Sequence, residues 1–170
     1  MARHDLGRLT PADAAVALRS FGRRYRDAVR PDELAGTGPD PGVVPPGATR
    51  APLDVLGLTV AVLRQRHRAI TRILAEPSGT LDAADVPGGS APLDAPRPAS
   101  LVAGLDDLAT TVEALADLAV RTPLPRWERE APAAGVPVRA ADVLRDAVAV
   151  GRAGLDEFAA VLLLARAAAD

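Results

Sequence analysis

The stretch that decides the fold is Ala140–Ala169, AADVLRDAVAVGRAGLDEFAAVLLLARAAA. It contains no proline and is rich in alanine, the residue with the highest helix propensity. Its main apolar residues recur at helical spacing: Leu144, Val148, Gly151, Leu155, Phe158 and Leu162. These features predict a long amphipathic helix, from about residue 139 to residue 168, with one face buried in a core.

Three further segments predict helices of the same kind, at about residues 11–30, 52–76 and 100–121. Thr10 and Ser100 are suitable N-caps, Pro11 suits a first helical turn, and Pro31 and Pro77 are suitable stops. Each segment carries one apolar stripe. The stripes are Ala14, Leu18, Phe21, Tyr25 and Val29; Leu56, Val60, Leu63, His67, Ile70 and Leu74; and Leu101, Leu105, Leu108, Val112, Leu115 and Leu118 or Ala119.

Four helices with one apolar stripe each predict an all-α protein built as a four-helix bundle. We expect one domain at residues 10–170 after a mobile N-terminus at residues 1–9. The Pro/Gly-rich segments 31–50 and 77–99 are predicted loops, the first either mobile or laid over the helices and the second partly disordered. No alternating strand pattern of useful length is present, so a loop is predicted before the last helix, with Trp127 as its packing anchor.

Composition narrows the classes of function. The chain has no cysteine, which removes disulfides and thiolate sites, and its net charge of −2 argues against a nucleic-acid-binding protein. No segment approaches the ~20 apolar residues of a membrane span, and no secretory signal is visible at the N-terminus. We therefore expect a cytoplasmic protein with no nucleic-acid or membrane partner.

Few residues offer catalytic chemistry. His4 lies in the predicted mobile terminus, and His67 lies on the apolar stripe of the second helix. His67 is either a core or boundary histidine with a local hydrogen bond or an acid/base group in a cavity. Neighbouring carboxylates such as Asp156-Glu157 point about 100° apart on a helix, so they do not form paired-acid sites. The serines have no obvious partner base.

Several motifs occur in a recognisable order. They are ALRSFGRRYR (17–26), PDPG (39–42), a helix beginning near Leu53-Asp54, Trp-x-Arg (127–129) and LRDAVAVGRAGLD (144–156). Together they cover nearly the whole chain. In these motifs and in their order, the chain resembles the DinB-like superfamily. The similarity is to the actinobacterial branch that includes the mycothiol-dependent maleylpyruvate isomerases.

The resemblance implies a four-helix bundle, often dimeric, with a divalent metal. In the family one histidine on the second helix and a His-x-x-x-His pair on the fourth hold the ion, because that spacing puts two imidazoles on one face. Matching the motifs places the pair at Ala149 and Ala153 and the remaining ligand at Leu58. Aliphatic side chains cannot bind a metal, so we expect the fold without the metal and without a cofactor.

Three functions stay open at this stage. The first is a metal-free bundle that binds a small organic ligand or a protein partner, with Leu58, Ala149 and Ala153 lining an apolar patch edged by charges. The second is an enzyme of specialised or thiol metabolism, S-transferase-like or isomerase-like, that works without metal through Asp54, His67 or Asp156. The third is a structural module that forms a homodimer through a helix face.

Overall fold

The computed structural model of the protein describes residues 8–76, 79–89 and 95–169. Within them the fold is mostly helical, with five α-helices, one short 3-10 helix and a sheet of two strands. In chain order the elements are α1 (Pro11–Asp27), α2 (Pro31–Leu34), α3 (Pro52–Ala75), α4 (Leu101–Arg121), the 3-10 helix (Leu124–Glu128), β1 (Glu130–Ala133), β2 (Val136–Arg139) and α5 (Ala140–Ala169). The predicted all-α class is confirmed at this level. His4, Ser78 and Ser90 lie outside the described residues.

The helix starts follow the predicted capping residues. The Thr10 hydroxyl accepts a hydrogen bond from the Asp13 amide at 3.2 Å, and the Asp13 carboxylate accepts one from the Thr10 amide at 3.2 Å. Ser100 caps α4 in the same way by accepting from the Ala103 amide at 3.1 Å. Both caps satisfy amides that have no partner inside a helix, and they fix where α1 and α4 begin.

The first predicted helix, 11–30, is too long by three residues. α1 ends at Asp27, and the separate one-turn helix α2 begins at Pro31. The cause is local, because a proline disfavours the helical conformation of the residue before it, and Arg30 is extended with φ −79° and ψ 157°. The other three predicted helices begin and end within about one residue of α3, α4 and α5.

The four long helices contact one another in a closed order, in which α1 packs against α4 and α5, and α3 packs against the same two helices. α1 and α4 run antiparallel, because Arg19 in the middle of α1 pairs with Glu113 and Arg26 near its end pairs with the earlier residue Asp106. α3 and α5 also run antiparallel. Thr59 of α3 contacts Gly154 of α5, and Arg66, later on α3, pairs with Asp146, earlier on α5.

The predicted stripes form the core between these helices. Phe21, Tyr25 and Phe158 make the only aromatic cluster among the described residues, with the Tyr25 and Phe158 rings stacked at 5.6 Å between centroids. Around it lie leucines and isoleucines that are nearly free of solvent contact: Leu18, Leu56, Leu63, Ile70, Ile73, Leu105, Leu108 and Leu115. The stripe predictions for all four helices are therefore confirmed, with His67 the member that lies at the edge.

The prediction of a loop before the last helix is wrong in part. Residues 124–128 form the 3-10 helix, and β1 and β2 pair as an antiparallel hairpin in which Ala133 faces Val136. Its two-residue turn, Ala134-Gly135, has positive φ at both positions (50° and 82°), as a type I′ turn requires. Trp127 is buried and donates its indole N–H to the Thr122 carbonyl at 3.2 Å, which confirms its role as a packing anchor.

The described parts of the two Pro/Gly-rich segments are held against the helices. The Leu53 amide donates to the Pro41 carbonyl at 3.0 Å, and Arg97 donates to the Gly42 carbonyl at 2.9 Å. Leu81 is buried and its amide donates to Pro132 of β1 at 2.9 Å. The first segment is therefore laid over the helices, one of the two predicted alternatives.

The C-terminal end of α5 is joined to α2 by a buried ion pair. The Arg166 guanidinium donates to both Glu33 carboxylate oxygens at 2.8 Å and to the Ala28 carbonyl at 2.8 Å.

Over the described ranges, no helix is long and apolar enough to cross a membrane.

Candidate functional site

The three positions that the resemblance matches to metal ligands lie at the interface of α3 and α5. Thr59 of α3 contacts Gly154 of α5, and Leu58 and Ala153 are the residues directly before these two. Leu58 and Ala149 are half-buried, whereas Ala153 is exposed. The motif matching thus places Leu58 and Ala153 next to a contact between α3 and α5, and Ala149 lies one turn before Ala153.

The inner side of this interface is filled. Tyr25 is buried and donates its hydroxyl to the Gly151 carbonyl at 2.9 Å, while the Thr59 hydroxyl donates to the Val55 carbonyl at 2.8 Å. A Cβ atom added at Gly154 would lie 2.7 Å from the Tyr25 oxygen and would overlap the Thr59 hydroxyl. Burial raises the pKa of Tyr25, so this phenol is neutral in the physiological range.

The side chains at these positions do not fit a metal. Leu58, Ala149 and Ala153 offer no nitrogen, oxygen or sulfur atom, and a divalent ion of this kind needs three or more such ligands from the protein. Across the described residues no group of three or more His, Cys, Asp or Glu side chains is placed to hold a metal ion.

Asp54, the first predicted acid/base candidate, is engaged in an ion pair. Its two carboxylate oxygens accept hydrogen bonds from Arg97 at 2.6 and 2.7 Å, and one also accepts from the Ala51 amide at 3.3 Å. The Arg97 hydrogen bonds hold the pKa of Asp54 below its ordinary value. The carboxylate is therefore ionised and joins the start of α3 to residue 97.

His67 lies far from Asp54 along α3. Asp156 is exposed on α5, and within the described ranges it forms no ion pair. His67 follows Asp54 by 13 positions on α3, which corresponds to about 20 Å along the helix axis. His67 and Asp54 are thus not assembled around one substrate position.

His67 lines a recess between two of the long helices. A depression of about 260 Å³ lies between α3 and α4, and we call it the His67 recess; its lining residues are Arg64, His67, Arg68, Thr110, Thr111 and Ala114. A second depression of about 460 Å³ begins on the other side of His67 and Arg68 and extends to Glu76. The two together form a shallow groove along the exposed side of α3.

The imidazole of His67 is half-buried and makes no hydrogen bond within the part of the chain that the structure describes. The boundary position is confirmed, but the expected local hydrogen bond of the ring is absent there. Burial, together with the positive charge of Arg68, lowers the pKa of His67 below its ordinary value of 6.5. The ring is therefore neutral at pH 7, with one N–H donor and one lone pair available.

The remaining depressions are less suited to a polar ligand. One of about 260 Å³ lies between residues 39–46 and the end of α5, and one of about 100 Å³ lies under residues 96–98 beside α3. None of these four depressions of the described chain is lined by Leu58, Ala149 or Ala153. The expected pocket at those three positions stays a prediction.

Arg66 and Asp146 form a buried pair that was not predicted from the sequence. The Arg66 side chain is 1% exposed and donates to Asp146 at 2.6 Å and to the carbonyls of Ala84 and Gly89 at 2.8 and 3.4 Å. The Gly88 amide donates to the other Asp146 oxygen at 3.1 Å. The sequence did contain a signal for the burial of Arg66. It follows Leu63, a member of the apolar stripe, by three positions and so lies beside that stripe on the helix.

The chain was also compared with known protein families, with curated proteins and with solved structures. None of the three comparisons found a match. The DinB-like resemblance therefore stays a prediction, and the geometry of the described residues carries the functional argument.

Proposed function

We propose that this protein is a metal-free four-helix bundle of the DinB-like kind that binds a small organic ligand in the His67 recess. It would not carry out the metal-dependent thiol chemistry that the resemblance implies for the family. The observation that carries the binding proposal is the recess itself, where a half-buried imidazole without a hydrogen bond in the described chain meets an apolar floor.

The bundle architecture is supported by the order and direction of the helices. α1 and α5 run parallel, because Leu9 and Arg145 meet at one end and Ala28 and Arg166 meet at the other. α3 and α4 also run parallel, while α1 with α4 and α3 with α5 are antiparallel. Two helices therefore run in one direction and two in the opposite direction around one core. Four-helix bundles use this arrangement.

The proposal that the protein binds no metal rests on the side chains at the positions that the resemblance matches to metal ligands. A variant with Leu58→His, Ala149→His and Ala153→His restores three imidazoles where the resemblance places them. We expect the triple variant to bind one Ni²⁺ per chain, measured by isothermal titration calorimetry, because two of the imidazoles lie one turn apart on α5. A control with Ala160→His in place of Ala153→His separates these two by about 16 Å and should not chelate. Equal Ni²⁺ binding by both variants would show that the positions are not a former ligand set.

The ligand-binding part is tested by filling the recess. Ala114 is exposed and lines it, so Ala114→Trp should block the space without disturbing the core. Fluorine NMR of a fragment mixture should show binding to the wild type and loss of binding in the Ala114→Trp variant. Ala160→Trp, on an exposed position of α5, is the matched control and should retain binding. Unchanged binding in both variants would place the ligand elsewhere.

A second candidate function is self-association through α5. Its outer face presents the exposed residues Ala153, Ala160 and Leu163, with Arg152 and Asp156 beside them and free of ion pairs in the described structure. A twofold axis at the level of residue 154 would place Arg152 of each copy opposite Asp156 of the other. Light scattering should then give a dimer that Ala153→Arg dissociates, and a wild-type monomer at high concentration would remove this candidate.

A further inference from the structure

We infer that the ligand of the His67 recess is an organic anion, a carboxylate or a phosphate monoester with an apolar body, and that Arg68 is its charge partner. This inference rests on the proposed function, because it names the chemical class of the ligand that the recess accepts. It follows from the charges, the hydrogen-bond donors and the apolar surface around His67.

The first step is the balance of charges along the groove. Arg64 is paired with Asp107 of α4 at 3.0 Å, and Arg72 lies 3.4 Å from Asp85. Arg68, between them on α3, forms neither a hydrogen bond nor an ion pair with any described residue. The recess therefore has one guanidinium whose charge no carboxylate of the described ranges balances. A guanidinium presents paired donors that match a carboxylate or a phosphate.

The second step concerns the hydrogen-bond donors that the recess offers to a ligand. The hydroxyls of Thr110 and Thr111 donate to the carbonyls of Asp106 and Asp107 on their own helix, at 2.9 and 2.7 Å. The hydroxyl protons of the lining threonines are therefore engaged, and most of the surface that lines the recess is apolar. The donors that remain for a ligand are the Arg68 guanidinium, the N–H of the neutral His67 ring and the Arg64 N–H groups that are not bonded to Asp107.

The third step places the anionic group. Glu76 lines only the second depression, on the far side of His67 and Arg68. A ligand carboxylate there would be repelled by the Glu76 carboxylate. The anionic group is therefore expected at the Arg68 side of the His67 recess, with the apolar body over the apolar surface of the recess.

The test compares benzoate with benzamide, a neutral probe of nearly the same shape. Titrations are followed by amide chemical shifts of recess residues in ¹H–¹⁵N NMR spectra. We expect saturable shifts with benzoate and about tenfold weaker binding of benzamide, because benzamide lacks the negative charge and offers the guanidinium one acceptor oxygen instead of two. Arg68→Gln should reduce benzoate binding to the benzamide level. Arg23→Gln, which changes an exposed arginine on α1, is the matched control and should leave the preference unchanged.

The outcomes separate this inference from the function on which it rests. Equal binding of both probes, or a benzoate preference that survives Arg68→Gln, overturns the anion inference while the recess remains a ligand site. If neither probe shifts the recess residues, both are overturned. A preference lost in Arg68→Gln and kept in Arg23→Gln supports both.

Discussion

Gly154 of α5 packs directly against Thr59 of α3, so closely that a Cβ atom at position 154 would overlap the threonine hydroxyl. This contact lies beside the positions that the DinB-like resemblance matches to metal ligands. Buried Tyr25 closes the same space from α1. The two helices are thus joined here by small residues and a hydroxyl cluster, which gives the first prediction.

Gly154→Ala should lower the free energy of unfolding by about 1–3 kcal/mol, because overpacking a core outweighs the higher helix propensity of alanine. The measurement is urea unfolding followed by circular dichroism. Gly22→Ala is the matched control, since its added Cβ would meet Ala109 Cβ at an ordinary 3.6 Å. We expect Gly22→Ala to leave the free energy of unfolding unchanged or to raise it, and Gly154→Ala to lower it. Equal effects at the two glycines would show that the close contact does not exist in solution.

Arg66→Met should destabilise the fold by about 3–5 kcal/mol, the usual cost of leaving one partner of a buried ion pair without the other. The substitution removes the hydrogen bonds to Asp146, Ala84 and Gly89 and so releases residues 84–89 from α3. Thermal and urea unfolding measure the loss.

The control for that substitution is Arg26→Met, which breaks an exposed pair with Asp106. Surface pairs contribute about 0–1 kcal/mol, so the control should remain near wild-type stability. A similar loss in the two variants would contradict the burial of Arg66 and its role in holding the segment before residue 90.

Glu33 should make stability depend on acid pH. Burial alone raises the pKa of Glu33, but the hydrogen bonds from Arg166 and the Arg30 amide outweigh it and bring the pKa below its ordinary value of 4.5. A carboxyl group with a lowered pKa in the folded state stabilises that state above its unfolded pKa, and this contribution is lost as pH falls through the folded pKa.

The wild type should therefore be more stable than Glu33→Gln at neutral pH, and the difference should shrink as the pH falls below 4.5. Urea unfolding of both proteins over this range measures the difference. A gap that stays constant with pH would mean that the Glu33–Arg166 pair does not form.

His67 should titrate below its ordinary pKa of 6.5, first because it is partly buried and second because of the charge of Arg68. Arg68→Gln should raise the pKa of His67, although not fully to the ordinary value, since the burial remains. NMR titration of the imidazole protons measures both values. A His4→Gln variant assigns the signals, because the chain has two histidines. An unchanged or lower pKa in Arg68→Gln would contradict the placement of Arg68 beside the ring.

The helices could be predicted because their signals are local. Thr10, Ser100 and Pro31 act on their own turns, and each apolar stripe is a property of one segment. The hairpin could not be predicted in the same way, since strands of four residues that contain Pro132 or Pro137 are too short to show alternation. Its one local signal was the Ala134-Gly135 turn, in which alanine is an uncommon first residue.

The candidate site was harder, because it depends on how helices align. His67 could be placed at the edge of the α3 stripe, but its recess requires Thr110, Thr111 and Ala114, which only the parallel packing of α4 brings beside it. The partners Asp54 and Arg97 are 43 residues apart, and Arg66 and Asp146 are 80 residues apart. No local pattern joins side chains at such separations.

The metal content of the untagged wild-type protein tests the central claim most directly. After incubation with Zn²⁺ and Ni²⁺ and removal of free ions, elemental mass spectrometry should find no stoichiometric metal, because Leu58, Ala149 and Ala153 supply no ligand atom. One zinc or nickel ion bound per chain would contradict the proposal of a DinB-like bundle without its metal.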